Sequence, residues 1–203
     1  MSTAPLSKWT ACKVAANESQ NTPGSEAAAG TIFQINVSRG GVPKRPVAEA
    51  TIDLRGITID AQADGKHHGH PDQALCLYSV ERLALLLSDG HQVFPGCTGE
   101  NITTMGLDWR TVVPGARLRL GNSVLIEITG FAGPCWKNAR WFCDGDFSHI
   151  DEGLHPGRGR AYARVLSGGL IHQEDPVEVV IESAGDRISR SQPKTFRWPT
   201  DFR

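Results

Sequence analysis

The amino-acid sequence predicts a mainly β protein, folded as a closed or partly open β-barrel with a few short helices. Short segments of alternating apolar and polar residues recur along the chain, and glycine and proline separate them. One segment stands out for the periodicity of an amphipathic helix. Many short strands joined by glycine-rich turns are typical of barrels and closed sandwiches.

The strand predictions begin at Thr31, after which Phe33, Ile35 and Val37 lie on one face of an alternating segment. A second segment, 51–59, is predicted as a strand with a bulge at Gly56. Further strands are predicted at 74–78, at 117–120 and 124–128 as a hairpin, and at 162–166, 170–172 and 177–181. Residues 129–133 are predicted to end the second strand of the hairpin.

One helix is predicted directly after Ser79. Ser79 is a favourable N-cap, Glu81 suits the first turn, and Gly90 is a typical residue just past the helix end. The apolar positions follow helical spacing at Val80, Leu83, Ala84 and Leu87.

The chain of 203 residues is predicted to be one barrel domain, 30–181, between a flexible N-terminal extension, 1–29, and a tail, 182–203. Its net charge of −1 gives no reason to expect binding to nucleic acid or to a membrane surface. It contains neither an apolar run long enough to span a membrane nor a signal peptide, so a cytoplasmic location is expected. Five cysteines without a CxxC pair argue against a disulfide framework and a zinc ribbon.

The tetrapeptide Pro-Cys-Trp-Lys at 134–137 is the most informative motif. Its cysteine, Cys135, follows a predicted strand and its break, where loops commonly position reactive groups. Lys137, two residues on, favours the thiolate form. Free cysteines more often fill the core than act as nucleophiles or metal ligands, so the motif alone leaves the core role open.

A second polar cluster is Lys-His-His-Gly-His-Pro-Asp at 66–72. Its imidazoles could ligate a metal, but adjacent His67 and His68 on an extended chain point to opposite faces, which disfavours that interpretation. Two alternatives remain. Either His67 or His68 faces a pocket and exchanges protons there, or the segment is a solvated loop.

Two glycine-containing segments are weaker signals. In the segment 96–102, Gly99 permits close backbone approach and Asn101 offers a donor and an acceptor to the edge of a heterocycle. In the segment 40–45, two glycines precede Lys44, which can pair with a phosphate. Neither a Walker loop nor a GxGxxG fingerprint is present, so nucleoside-triphosphate and Rossmann sites are not supported.

The order of these motifs is informative in itself. Gly-Gly-Val-Pro-Lys at 40–44 is followed by the histidine cluster, by Thr-Gly-Glu-Asn at 98–101 and by Pro-Cys-Trp-Lys. With these motifs the chain resembles the MOSC family, named for the C-terminal domain of molybdenum cofactor sulfurases, and most closely its stand-alone bacterial members. The resemblance runs over about 31–181. The chain departs from the family at Asn138, where an aliphatic residue is more usual.

The resemblance implies a β-barrel that binds a molybdenum–molybdopterin cofactor and acts independently of pyridoxal phosphate. Cys135 would be the molybdenum ligand, since a thiolate is a soft donor. Lys137 and Arg140 would favour that thiolate and meet the negative charge of the cofactor, and Lys44 would reach its phosphate. The remaining residues expected around the cofactor are Asn101, Trp136, His67 and His68.

Family members with demonstrated activity reduce N-hydroxylated compounds such as hydroxylaminopurines and amidoximes. By resemblance, this chain would do the same, with His67 or His68 as the proton donor. Its sequence has no dinucleotide fingerprint and no iron–sulfur spacing, so a separate flavin or iron–sulfur reductase would deliver the electrons.

Three other functions stay open from the sequence. Cys135 could carry a persulfide in a sulfur-transfer protein, or the domain could bind the cofactor without turnover. A more distant alternative is a thiol hydrolase that pairs Cys135 with His67 or His68. The sequence gives no indication of the oligomeric state.

Overall fold

The structure, a computed structural model, describes residues 29–61 and 70–180. The predicted tail, all of the predicted extension except Ala29, and both His67 and His68 lie outside the described residues. Ala29 itself begins the first strand.

Seven strands form a closed barrel, as the sequence predicts. Around the barrel they run in the order β11-β7-β8-β9-β5-β6-β1, and β1 pairs antiparallel with β11 to close the ring. Closure leaves these strands without an open edge. The barrel strands are β1 (Ala29–Val37), β5 (Leu75–Ser79), β6 (Ile102–Met105), β7 (Arg117–Leu120), β8 (Val124–Ala132), β9 (Arg160–Ser167) and β11 (Pro176–Val180).

Four further strands among residues 29–61 and 70–180 lie outside this ring. A short strand, β2 (Arg45–Val47), pairs with the end of β1. A separate three-stranded sheet contains β3 (Glu49–Asp53), β4 (Gly56–Ile57) and β10 (Gly169–His172). The bulge predicted at Gly56 is wrong, because a two-residue turn at 54–55 ends β3 and Gly56 begins the next strand of a hairpin.

The predicted hairpin at 117–128 is confirmed as β7 and β8. The predicted break after Ile128 is not, since β8 continues to Ala132. The register between β8 and β9 shifts between Ile128 and Gly130, so the strand bends there without ending. This extension carries β8 up to the loop that contains Cys135.

The predicted helix is α1 (Val80–Ser88). Ser79 caps it as expected, because its hydroxyl accepts a hydrogen bond of 3.1 Å from the backbone N–H of Arg82. Leu83 and Leu86 are fully buried, and Gly90 ends the helix with φ +90°. Among the described residues, no helix is long and apolar enough to cross a membrane.

We expect Gly168→Ala to destabilise the fold. Gly168 joins β9 to β10, and an added Cβ would lie 2.3 Å from the carbonyl oxygen of Ile52 on β3. Backbone would have to move, so the free energy of unfolding should fall by roughly 1–3 kcal/mol in urea denaturation.

The matched control is Gly130→Ala in β8, where an added Cβ meets no atom within 4 Å among the described residues. Equal stability of the two variants would show that the close approach of β3 to Gly168 does not constrain the fold.

Candidate functional site

A pocket lies where β5 and β9 meet the loops that follow β1 and β8 and the loop that precedes β6. The residues that line it come from parts of the chain far apart in sequence. Those that carry the most chemistry are Lys44, Cys76, Asn101, Cys135, Lys137, Asn138, Arg160 and Tyr162. Four of the predicted site residues, Lys44, Asn101, Cys135 and Lys137, are therefore brought together.

Cys135 lies in the wall of this pocket, three residues after β8 ends at Ala132. It is the N-cap of a 3-10 turn, Trp136–Trp141, and its carbonyl accepts a hydrogen bond of 2.9 Å from the backbone N–H of Asn138. The residue is partly exposed, unlike the fully enclosed Cys97. The interpretation of Cys135 as core filler is therefore not supported.

Lys44 is held in the pocket by the Gly96 loop. The backbone N–H of Lys44 donates to the carbonyl of Gly96 over 2.8 Å, and an added Cβ on Gly96 would lie 2.7 Å from the carbonyl of Lys44. Gly96 has φ +87°, so glycine is needed there for both conformation and space. The Lys44 ammonium forms an ion pair with Asp60, which the sequence did not single out.

Asn101 joins this ion pair to β5. Its side-chain N–H donates to the Asp60 carboxylate over 2.8 Å, and its side-chain carbonyl accepts from the backbone N–H of Cys76 over 3.1 Å. The backbone N–H of Asn101 in turn donates to the carbonyl of Cys76 over 2.7 Å. These bonds fix Asn101 in the pocket wall and, with it, the Asp60–Lys44 pair.

Glu100 supports the loop 96–101 from the protein interior. It is fully buried and accepts hydrogen bonds from the backbone N–H of Gly96 at 2.5 Å and from the Thr98 hydroxyl at 2.7 Å. Burial raises the pKa of its carboxyl group, and these hydrogen bonds oppose that shift.

Arg160 is the buried cation of the site. It begins β9, and its guanidinium donates to the carbonyl of Thr98 and, over 2.9 Å, to the carbonyl of Gly133. These carbonyls belong to the two loops that carry Asn101 and Cys135. Arg160 thus holds both loops against the start of β9. Among the described residues, its hydrogen bonds go to carbonyl oxygens and none goes to a carboxylate.

Two buried polar atoms of the pocket have no hydrogen-bond partner among the described residues. They are Nε of Arg160 and the side-chain oxygen Oδ1 of Asn138. Asn138 is only 1% exposed, and its side-chain N–H makes one long bond of 3.4 Å to Thr98. A buried polar atom without a partner is costly unless a ligand or water supplies one.

The second cysteine of the pocket is a neutral thiol. Burial raises the pKa of Cys76 to about 11, although the nearby charge of Arg160 lowers it in part. Burial likewise raises the pKa of Tyr162 to about 12. Cys76 and Tyr162 face each other across β5 and β9. Both keep their protons at neutral pH.

The structure places two predicted cofactor contacts away from the pocket lining. Trp136 is 71% exposed. Arg140 donates to the carbonyl of Val42 over 2.6 Å and stacks on the Trp141 ring at 4.5 Å, so it ties the glycine loop to the 3-10 turn. Their roles at the cofactor stay predictions.

The predicted roles of His67 and His68 also stay predictions. Ala61 precedes this segment in the sequence and Gln73 follows it, and both line the pocket.

Sequence reasoning missed Asp60, Cys76, Asn138, Arg160 and Tyr162. For β9 a signal was present, because Arg160 and Tyr162 alternate with small or apolar residues. In the structure Ala161, Ala163 and Val165 are buried in the core, which leaves Arg160 and Tyr162 on the pocket face.

Comparisons with known proteins agree with this site. A family model, the MOSC domain, matches residues 64–178. The chain is 27% identical over 150 residues to Protein YiiM of Escherichia coli (strain K12), covering 72% of this chain and 66% of that protein. It is 34% identical over 135 residues to the uncharacterized protein YflK of Bacillus subtilis (strain 168), covering 64% and 59%. The chain therefore spans about two thirds or less of these relatives.

Solved structures show the same fold. The crystal structure of a hypothetical protein superposes with a TM-score of 0.62 at 27% identity, covering 77% of this chain and 70% of that one. The crystal structure of YiiM from Escherichia coli superposes with a TM-score of 0.57 at 24% identity, covering 76% and 71%.

The fold and the site thus define a class of protein: a β-barrel whose pocket contains a cysteine and cationic side chains. The chain belongs to the MOSC family, whose domain binds a molybdenum cofactor.

We expect Arg160→Met to loosen the site. The substitution keeps the apolar stem but removes the guanidinium that donates to the carbonyls of Thr98 and Gly133. The free energy of unfolding should fall by roughly 2–4 kcal/mol in urea denaturation. Alkylation of Cys135, followed by peptide mass spectrometry, should become faster, because the loop after β8 loses its anchor.

The control is Arg110→Met. Arg110 is 90% exposed and bonds only its neighbour Asp108 among the described residues, so this variant should match the wild type in stability and alkylation rate. If Arg160→Met kept the wild-type stability and the wild-type alkylation rate, the anchoring of the two loops by Arg160 would be contradicted.

Proposed function

We propose that this protein is a molybdenum-cofactor-dependent reductase of N-hydroxylated compounds. The single observation that carries the proposal is the convergence of a partly exposed Cys135 with the buried Arg160 in one pocket. A thiolate is a suitable ligand for a soft metal centre. The Arg160 guanidinium, whose hydrogen bonds among the described residues go to carbonyl oxygens, favours an anionic ligand beside it.

The residues present fit such a cofactor. Arg160 Nε and Asn138 Oδ1 are a donor and an acceptor that lack partners among the described residues, which suits a polar heterocycle with both kinds of group. Lys137 adds positive charge to the lining, which also contains Lys44 of the Lys44–Asp60 pair. An added Cβ on Gly99 would lie 2.9 Å from a Val42 methyl, so the glycine leaves room where the pocket is narrow.

Each residue would then have a distinct task. Cys135 would hold the metal, and Lys44, oriented by Asp60, would face a phosphate group. Asn101 would keep that pair in place through its bonds to Asp60 and Cys76. The neutral Cys76 and Tyr162 would line the pocket without adding negative charge that repels the anionic group.

The reaction requires two electrons and two protons, and it converts an N-hydroxylated group into the amine or amidine and water. When bound, the molybdenum cofactor would supply the two-electron chemistry that cleaves the N–O bond. We assign the proton donor to His67 or His68, because a histidine can release and regain a proton near neutral pH. A separate flavin or iron–sulfur reductase would supply the electrons.

The test compares the wild type with Cys135→Ala, both produced in a host that makes the molybdenum cofactor. We expect about one molybdenum per chain in the wild type and a loss of at least about tenfold in Cys135→Ala, because the soft ligand is removed. Reduction of an amidoxime or a hydroxylaminopurine by a chemical electron donor should be lost in parallel. The matched control is Cys12→Ser, which removes a thiol outside the described residues and should retain both properties.

Other outcomes would favour the alternative functions. Cyanolysable sulfur on Cys135 in metal-free protein would indicate a sulfur carrier. Bound cofactor with no turnover under any donor would indicate a non-catalytic carrier. Unchanged molybdenum content and activity in Cys135→Ala would overturn the proposal.

A further inference from the structure

A second cluster of ligand-type side chains lies outside the pocket, near the far end of the Trp136–Trp141 turn. His91 follows α1, and Cys143 and Asp144 follow the turn. One ligand atom from each of these three residues lies within 4.8 Å of the other two. None of the three lines the cofactor pocket. We call these three residues the His91 cluster.

The distances within the His91 cluster suit joint binding of one ion. Nδ1 of His91 lies 3.4 Å from Sγ of Cys143, which is a typical separation between two ligands of one tetrahedral metal. The backbone N–H of Cys143 points at the same Nδ1 over 3.4 Å. In this arrangement Nδ1 of His91 is an acceptor, and a metal ion would take the place of the hydrogen bond from this backbone N–H.

His91 is already held in place for this role. Its ring is 5% exposed, packs edge-on against Phe142 at 5.0 Å between ring centroids and lies 4.4 Å from the ring of His149. A ligand that is fixed before the ion arrives loses little conformational entropy on binding.

Asp144 is also held in place, here by the side chain of His149. Nε2 of His149 lies 2.7 Å from the Asp144 carboxylate, and this pair is partly exposed to solvent. Hydrogen bonds that orient ligating side chains are a recurrent feature of protein metal sites. The nearby Arg158 guanidinium is paired with the Asp89 carboxylate at 2.5 Å.

The donor set determines the kind of ion. A thiolate, an imidazole and a carboxylate together suit a divalent ion of borderline softness such as Zn²⁺, and not Mg²⁺ or Ca²⁺, which prefer oxygen ligands alone. Cys143 and Asp144 are exposed, so water can occupy a fourth position. Binding would release the thiol proton of Cys143 to solvent as the metal–sulfur bond forms.

We propose that His91, Cys143 and Asp144 form a binding site for a divalent transition metal of the zinc type, with His149 orienting the Asp144 carboxylate. Such an ion would join the loop after α1 to the segment after the 3-10 turn. Because Cys135 is the N-cap of that turn, the ion would hold the segment that carries it. The site does not depend on the function proposed for the pocket.

Cobalt binding tests the site, because a cobalt–thiolate bond gives a charge-transfer band in the near ultraviolet that histidine and carboxylate ligands alone do not give. Metal-free, reduced full-length protein without an affinity tag is titrated with Co²⁺. We expect a saturable band at about one Co²⁺ per chain, displaced by one equivalent of Zn²⁺. The His-rich segment 66–72 cannot produce this band, since it contains no cysteine.

Single-residue variants locate the bond. The band should disappear in Cys143→Ser and persist in Cys135→Ser and Cys12→Ser, which remove the other two thiols that are not known to be buried. His149→Gln should weaken the apparent affinity by about tenfold without abolishing the band, because it removes only the orienting bond. Circular dichroism checks that each variant is folded.

Absence of a saturable band in the wild type would overturn the proposal. So would a band that survives in Cys143→Ser or that disappears in Cys135→Ser.

Discussion

The site depends on one buried cation. Arg160 stands at the start of β9, and its guanidinium reaches two loops, one before β6 and one after β8. Thr98 and Gly133 each present a carbonyl oxygen to it, and these residues lie three and two positions from Asn101 and Cys135. A guanidinium has several donors in a rigid plane, so one side chain can set the separation of both loops. A lysine could not do so with the same geometry.

The same cation gives the pocket its electrostatic character. The Lys44 charge is balanced by Asp60, whereas the hydrogen bonds of Arg160 within the described residues go to neutral carbonyls. The buried Glu100 carboxyl group attracts Arg160 electrostatically, but its hydrogen bonds go to Gly96 and Thr98 and not to the guanidinium. An anionic cofactor would add a further partner for this cation, and the partnerless Arg160 Nε would be a donor for it. Binding of the anion and the integrity of the wall that holds Cys135 would then be coupled through one residue.

The sequence correctly predicted those elements that depend on residues close together in the chain. The cap at Ser79, the helix after it and the hairpin at 117–128 follow from neighbouring residues, and the structure confirms them. The end of β8 was predicted too early, because pairing with β9 continues through a register shift that no local pattern reveals. The barrel class followed from the number of strands, but its closure through β1 and β11 is a long-range pairing.

The site was predictable only in part, for the same physical reason. Motifs on loops identified Lys44, Asn101, Cys135 and Lys137, which do line one pocket. Arg160 is carried by a strand, and which face of a strand meets a pocket depends on the barrel around it. The His91 cluster was equally hidden, since α1 and the 3-10 turn are brought together only by the fold.

X-ray absorption spectroscopy at the molybdenum edge tests the central claim most directly. Wild-type protein and Cys135→Ser would both be loaded with the cofactor in vitro at saturating concentration. If Cys135 is the metal ligand, the wild type has one more sulfur scatterer in the first shell of molybdenum than Cys135→Ser. Identical first shells in the two proteins would contradict the account.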